Sequence, residues 1–345
     1  MTGGASFIGS HLVEKLAELG AKVTVADDLS SGTLANLSQT EESIVFRKGD
    51  LKDRNFAESV VEGTDVVFHL AARHGGRGYI ASHPADCASN MAIDSTVIDA
   101  SWKRGVERVC FASSACVYPK SLQSQKKKHL QPPRVLLHEE DADPFIEGKA
   151  YADEEYGWAK LMGEMTLRAY HRQHGLCGVS CRIFTSYGPR ENETHAIIAL
   201  IAKAFIQMDP YEVWGSGNQD RNFTYVDDTV EGLIRASEKI DDATPINIGT
   251  SDHITIKDAI KLIFQLVRFE PRSIRYDTTK PEGVFSRAAD LTRCKELLGW
   301  VPKKSFTEGL EKTIKWYVGT RHPQEVRSHL RELLYERTIF GEEGS

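Results

Sequence analysis

The sequence predicts an α/β fold in which a doubly wound parallel sheet is covered by helices on both faces and followed by a smaller mixed α/β lobe. Three observations carry that expectation. A glycine-rich turn, Thr2-Gly-Gly-Ala-Ser-Phe-Ile-Gly-Ser-His11, opens the chain. Short apolar strands then alternate with helical stretches through the first half, the pattern of a parallel sheet. In the second half Gly188-Pro189, Gly215-Ser-Gly217 and Pro281-Glu-Gly283 punctuate shorter elements, as suits a smaller lobe.

Each element follows from local chemistry. In the opening turn Gly3 allows a tight bend, Gly9 allows close helix–sheet packing, and the amides of the next helix face an anion such as a pyrophosphate. Ser6 stands where the pattern has its middle glycine and is expected to crowd that pyrophosphate. Only Met1 and Thr2 precede the turn, where a buried strand of about five residues normally anchors the sheet. The first strand is therefore expected to be largely missing from the sequence. Residues 11–20 have helical spacing, with Leu12, Leu16 and Leu19 on one face and Gly20 as the stop.

The strand Lys22-Val-Thr-Val-Ala26 ends in Asp27 and Asp28. An acidic residue about twenty positions after such a turn accepts hydrogen bonds from the adenine ribose hydroxyls. It also repels a 2′-phosphate, so the expected cofactor is NAD rather than NADP. Further strands at 44–46, 65–70 and 108–112 lead into Asp50-Leu51, Ala71-Ala72 and Ser113-Ser114. Ligands of such sheets sit outside the carboxyl ends of the strands, where these motifs fall. Residues 119–148 read as an insertion or flap, 151–175 as a long helix, and 323–336 as an amphipathic helix before a fraying tail.

A chain of 345 residues can bury one or two sizeable cores. Its net charge of −6, mixed in sign, gives no reason to expect nucleic acid or an anionic membrane as partner. The lysine run at 126–128 reads as a solvated loop. No apolar stretch is long enough to span a bilayer, and no signal peptide precedes the fold. Six cysteines without paired CxxC spacing exclude a zinc framework and imply a reduced, cytoplasmic protein without a metal.

Tyr156-Gly-Trp-Ala-Lys160 places a phenol and an ammonium four residues apart, on one face of a helix. A phenol ionises near pH 10, too high for a base at neutrality. A neighbouring ammonium and an oxidised nicotinamide are expected to lower that value, so that Tyr156 can remove a hydroxyl proton while hydride leaves the same carbon.

With these motifs in order, the chain resembles the extended short-chain dehydrogenase/reductase family, in particular its nucleotide-sugar epimerases and dehydratases. The resemblance runs from Thr2 to about Tyr317. It rests on the glycine turn, Asp27-Asp-Leu-Ser-Ser-Gly32, Gly49-Asp-Leu51, His69-Leu-Ala-Ala72, Ser113-Ser-Ala-Cys-Val-Tyr118 and the Tyr156–Lys160 motif. Tyr187-Gly-Pro-Arg190, Arg221-Asn-Phe-Thr-Tyr-Val-Asp-Asp228, Asn247-Ile-Gly249 and Leu298-Gly-Trp-Val-Pro302 extend it.

The resemblance implies a Rossmann-type domain over 1–180 plus about 222–250 and a nucleotide-sugar lobe over about 181–221 plus 251–320. A C-terminal helix and tail occupy 321–345. It implies NAD held by Gly3, Ser6, Phe7, Ile8 and Gly9, by Asp27, Asp28, Asp50 and Leu51, and by Leu70, Ala71 and Ala72. Lys160 should hold the nicotinamide ribose, and Ser114 with Tyr156 the sugar oxygen being oxidised. Arg221 and Arg287 resemble the arginines that clamp the substrate diphosphate. Thr185 stands where the family usually has Asn. A homodimer built on the helices near 90–104 and 151–175 is also implied.

Family dehydratases carry Asp-Glu after the catalytic hydroxyl; here those positions hold Ala115 and Cys116. Cys116, with His195 beyond the Tyr-Gly-Pro motif, instead resembles the acid/base pair of the family's 3,5-epimerising enzymes for GDP-sugars. Gly76 and Arg77, in the loop Gly75-Gly-Arg-Gly78, resemble their glycine-rich substrate loop. A ketone at C4 acidifies the hydrogens at C3 and C5, which a thiolate and an imidazole can exchange. The alternatives are 4-epimerisation of a UDP-hexose, which needs only Ser114, Tyr156, Lys160 and NAD, and a non-catalytic dinucleotide sensor.

Overall fold

A computed structural model describes residues 1–124, 135–280 and 283–336. The lysine run at 126–128, Pro281 and the tail beyond 336 lie outside the described residues. After the glycine turn, helix α1 (Phe7–Glu18) buries Leu12 and Val13 and leads into β1 (Val23–Asp27) and β2 (Ile44–Lys48). Helix α2 (Arg54–Val61) starts where the Asp53 carboxylate accepts the backbone N–H groups of Asn55 and Phe56, a side-chain cap. Next come β3 (Val66–His69), the short helices α3 (Arg77–Ser82) and α4 (Pro84–Ala88), α5 (Asn90–Lys103) and β4 (Arg108–Ser114).

The segment read as a flap holds α6 (Lys120–Ser124) and the two-residue strand β5 (Leu136–Leu137). The long helix α7 (Glu154–His174) stops at Gly175, whose φ of 74° is a left-handed cap. It is followed by β6 (Cys177–Ile183), β7 (Ser186–Tyr187) and α8 (Ala196–Phe205).

Short pairings dominate the rest: β8 (Tyr211–Trp214), β9 (Asp220–Arg221) and β10 (Thr224–Tyr225) precede α9 (Val226–Lys239) and the long strand β11 (Asp242–Ile248). Then follow β12 (Ile254–Thr255), α10 (Ile256–Val267), β13 (Ile274–Asp277) and β14 (Ala288–Ala289). Helix α11 (Phe306–Thr320) opens on a Ser305/Glu308 capping box, and α12 (Pro323–Tyr335) ends the described chain.

The main sheet is parallel throughout. β2 pairs with β1, and β3, β4, β6 and β11 pair in that order. Between β1 and β3 lie Met1–Gly3: Thr2 bridges both Ala26 and His69 in parallel register. Its N–H donates to the Phe68 carbonyl at 2.9 Å, while Gly3 N–H donates to the Ala26 carbonyl at 2.9 Å. The slot next to the glycine turn is thus filled by the chain's first residues. The largest core packs β6 and β11 against α8, α9, α10 and α11 through residues such as Val179, Ile201, Leu233, Ile246 and Leu310. A second core, with Val97, Val109, Phe111 and Leu167, seats α5 and α7 on the opposite face.

Candidate active site

One cleft of about 440 Å³ opens along the carboxyl ends of the sheet strands. At one end Gly3, Ser6, Phe7 and Ile8 line it beneath α1, with Asp27 and Asp28 from the end of β1. Asp50 and Leu51 follow β2, and Leu70, Ala71 and Ala72 follow β3. Gly3 has φ +69°, and a Cβ there would stand 2.7 Å from the Ala71 nitrogen, so the turn lies directly on the segment after β3. Gly9 is buttressing rather than lining: its missing Cβ would meet the Gly3 carbonyl oxygen at 2.0 Å. The Ser6 hydroxyl, expected to crowd an anion, donates back to the Gly3 carbonyl at 2.6 Å. Asp27 is tied to the turn, accepting from Ala5 N–H at 3.0 Å and from Leu29 N–H at 2.9 Å. Asp28 pairs with Arg73 at 2.8 Å.

The middle of the cleft holds Ser114, Tyr156 and Lys160. Ser114 ends β4; its Oγ accepts the Cys116 N–H at 3.2 Å and is hydrogen-bonded with the Tyr156 hydroxyl. Tyr156 and Lys160 lie on the first turns of α7 and are buried. Burial pushes the Tyr156 phenol well up, and Cys116, Asp94 and Cys87 push in the same direction. Burial, not Lys160, sets this direction; the Lys160 ammonium faces Asp94, 3.4 Å from Oδ1 and 3.5 Å from Oδ2.

At the other end Cys116, Thr185, His195, Arg221 and Arg287 share the same cleft. Cys116 packs in a small cluster with Tyr79, Ile80, Cys87 and Tyr156. Arg287 lies over it, with one guanidinium nitrogen 3.9 Å from the Cys116 sulfur and another 3.8 Å from Asp153; its Nε donates to Gln123. Arg77 is paired with Asp153 at 2.8 Å and with Glu154 at 3.1 Å, at the start of α7. The guanidinium expected on substrate therefore joins the glycine loop to the helix that carries Tyr156. Gly76 approaches another backbone: a Cβ there would stand 1.7 Å from the Thr194 carbonyl oxygen, and its N–H donates to Thr194 Oγ1 at 3.0 Å.

His195 occupies the N-cap position of α8 without capping it. Its Nδ1 lies 3.3 Å from Glu191, whose carboxyl burial pushes well up. Sequence reasoning missed His74. Its ring stacks on Tyr156 at 4.4 Å and meets His195 edge-on at 5.4 Å. Its place beside the glycine loop was the one available signal. Among the described residues no group of His, Cys, Asp or Glu could hold a metal ion, and no helix is long and apolar enough to cross a membrane.

A glycine turn seated on a parallel sheet, with a buried tyrosine and lysine further along the same cleft, defines a nucleotide-binding α/β enzyme. The chain belongs to the NAD dependent epimerase/dehydratase family, whose model matches residues 1–249, and its cofactor is NAD. It is similar to GDP-mannose 3,5-epimerase of Arabidopsis thaliana, at 33% identity over 92% of this chain and 81% of that one. GDP-mannose 3,5-epimerase 1 of Oryza sativa subsp. japonica is 34% identical over 92% of this chain and 80% of its own length. Among solved structures, UDP-glucose 4-epimerase of Thermotoga maritima with UDP-glucose superposes with a TM-score of 0.79 at 29% identity, covering 92% of this chain and 98% of that one.

Proposed function

We propose that the chain is a nucleotide-sugar epimerase that works through a transient 4-keto sugar and inverts C3 and C5, with Cys116 and His195 as the acid/base pair. The observation that carries this reading is the meeting of Cys116, His195, Ser114 and Tyr156 in one cleft, 79 positions separating the thiol from the imidazole in sequence. The GDP-mannose 3,5-epimerases among its relatives support it.

The glycine turn and the first amides of α1 fit a pyrophosphate, because the turn carries no side chain at Gly3 and the first turn of α1 no acidic residue. Asp27 and Asp28 would hold the adenine ribose, Asp50 and Leu51 the adenine, and Lys160 the nicotinamide ribose, beside Leu70, Ala71 and Ala72. NAD, when bound, accepts hydride from the sugar C4 and returns it. Tyr156 takes the C4 hydroxyl proton and gives it back, while Ser114 holds the same oxygen. Cys116 and His195 then remove and deliver protons at the carbons made acidic by the ketone. Arg221 and Arg287 bind the diphosphate side, and Thr185 and the Gly76–Arg77 loop bound the sugar.

In the same reading, residues 1–180 plus about 222–250 form the NAD domain, and about 181–221 plus 251–320 form the sugar-nucleotide lobe. The enzyme acts in the cytoplasm, where its cysteines, all free thiols, stay reduced. It pairs with a second copy through α5 and α7, where Met91, Trp102, Trp158 and Met162 are exposed.

Turnover of GDP- and UDP-sugars in heavy water tests the reading. Deuterium should enter C3 and C5, and Cys116→Ala or His195→Ala should each abolish that exchange while reversible oxidation at C4 survives. A C4 epimer formed without deuterium uptake would instead establish the second reading, 4-epimerisation, which the similarity to the UDP-glucose 4-epimerase favours.

A further inference from the structure

Behind Lys160 runs a buried polar column, Asp94, His69 and Thr2, that the proposed chemistry does not use. Lys160 Nζ lies 3.4 and 3.5 Å from the two oxygens of Asp94 on α5. Asp94 Oδ1 also lies 3.0 Å from His69 Nε2 at the end of β3, and His69 Nδ1 lies 2.7 Å from Thr2 Oγ1. Thr2 Oγ1 in turn accepts the Ala71 N–H at 3.3 Å. His69 and Asp94 are fully buried, and Thr2 and Lys160 nearly so.

The donors and acceptors fix one direction along this column. A carboxylate already facing an ammonium can only accept from His69, so the imidazole proton sits on Nε2. Burial lowers the His69 pKa, leaving the ring neutral despite Asp94. Nδ1 therefore accepts the Thr2 hydroxyl. Room for the carboxylate comes from Gly163 on α7, where a Cβ would stand 3.0 Å from Asp94 Oδ2.

We propose that Asp94 is a positioning residue of the active site: its buried carboxylate holds the Lys160 ammonium in place and, through His69 and Thr2, joins that ammonium to the glycine turn. The inference rests on the reading of Tyr156 as the group that moves the C4 hydroxyl proton and of Lys160 as the group that holds the nicotinamide ribose. The groups that face Asp94 are His69 from β3 and Lys160 from α7, with Tyr156 one helical turn away. Tyr156 also feels Cys116 and Cys87. A negative charge at this point has two consequences. It pairs with the Lys160 ammonium, and it opposes ionisation of the Tyr156 phenol.

Asp94→Asn separates charge from shape, since the amide oxygen still accepts from His69. Without the charge Tyr156 loses its proton more readily. The limb of the kcat profile set by Tyr156 should therefore slide to lower pH by about one pH unit. Nitrogen-15 NMR of the NAD-loaded wild type should show a neutral His69 with its proton on Nε2; Asp94→Asn should keep that tautomer and Asp94→Ala should lose it. A lowered profile that does not move along the pH axis overturns the proposal, as does a proton found on His69 Nδ1 in the wild type. Tyr156→Phe keeps the two levels apart. If that variant turns over like the wild type, the underlying reading of Tyr156 is wrong; if it is inactive while Asp94→Asn leaves the Tyr156 limb in place, only the role of Asp94 fails.

Discussion

The carbonyl oxygen of Cys116 accepts the backbone N–H of Asp153 at 2.8 Å, and the same oxygen lies 2.2 Å from where a Cβ on Gly157 would stand. The turn carrying the thiol and the first turn of α7 are in backbone contact, and Tyr156 lies between those two touching points, next to Gly157. Gly157→Ala should push α7 off the turn. We expect a loss of about 1–3 kcal/mol in urea unfolding, together with a fall in kcat of at least tenfold at unchanged NAD content. Wild-type kcat in a folded Gly157→Ala variant would show that the contact does not set the position of the phenol.

Asp27 joins the glycine turn to the end of β1 by accepting two backbone N–H groups. Asp27→Asn keeps one acceptor oxygen and removes the charge that would face a 2′-phosphate. Calorimetric titration of protein stripped of nucleotide should show NADP binding strengthened by roughly tenfold relative to NAD, about 1.4 kcal/mol of relative affinity. An unchanged ratio would take the carboxylate off the ribose.

Lys203 is buried on α8, donating to the Glu212 carbonyl at 3.1 Å, and burial lowers its pKa from 10.5 to about 8. The sign follows from linkage. Between pH 8 and the ordinary lysine value the unfolded chain binds a proton that the folded chain has released, so this group makes stability rise with pH across that window. Below it, the buried ammonium is a cost. Lys203→Met should therefore be more stable than the wild type at pH 7, by about 2 kcal/mol, with the gap in melting temperature closing as pH rises to 9.5. A gap that stays constant with pH would mean that the ammonium is not penalised in the fold.

What was legible in the sequence was what is local. The glycine turn, the helix at Tyr156–Lys160 and the strand ends at Asp27, Asp50 and Ser114 each follow from spacing within a few residues. All of them reach the cleft except Gly9, which supports it from beneath. Partners distant in sequence were not legible. Nothing within five residues of Lys160 announces Asp94, 66 positions away, a carboxylate that adds to burial and Cys116 in pushing the phenol up. Arg77 could be placed at the site from its glycine-rich loop, but its partners Asp153 and Glu154 are fixed only by the packing of that loop on α7.

The pairing of Met1–Gly3 between β1 and β3 gives the sheet a mechanical character. On one side of those three residues stand two strands, ending in Asp27; on the other stand four, carrying Ser114 and backing the helix of Tyr156. Thr2 and its neighbours rivet the two groups of strands together, bonding to Ala26 on one side and to Phe68 and His69 on the other. Asp27 and Ser114 stand on opposite sides of that rivet, so it sets the distance between the two ends of the cleft. The same rivet bears the glycine turn and, through Thr2, the first link of the column that ends on Lys160.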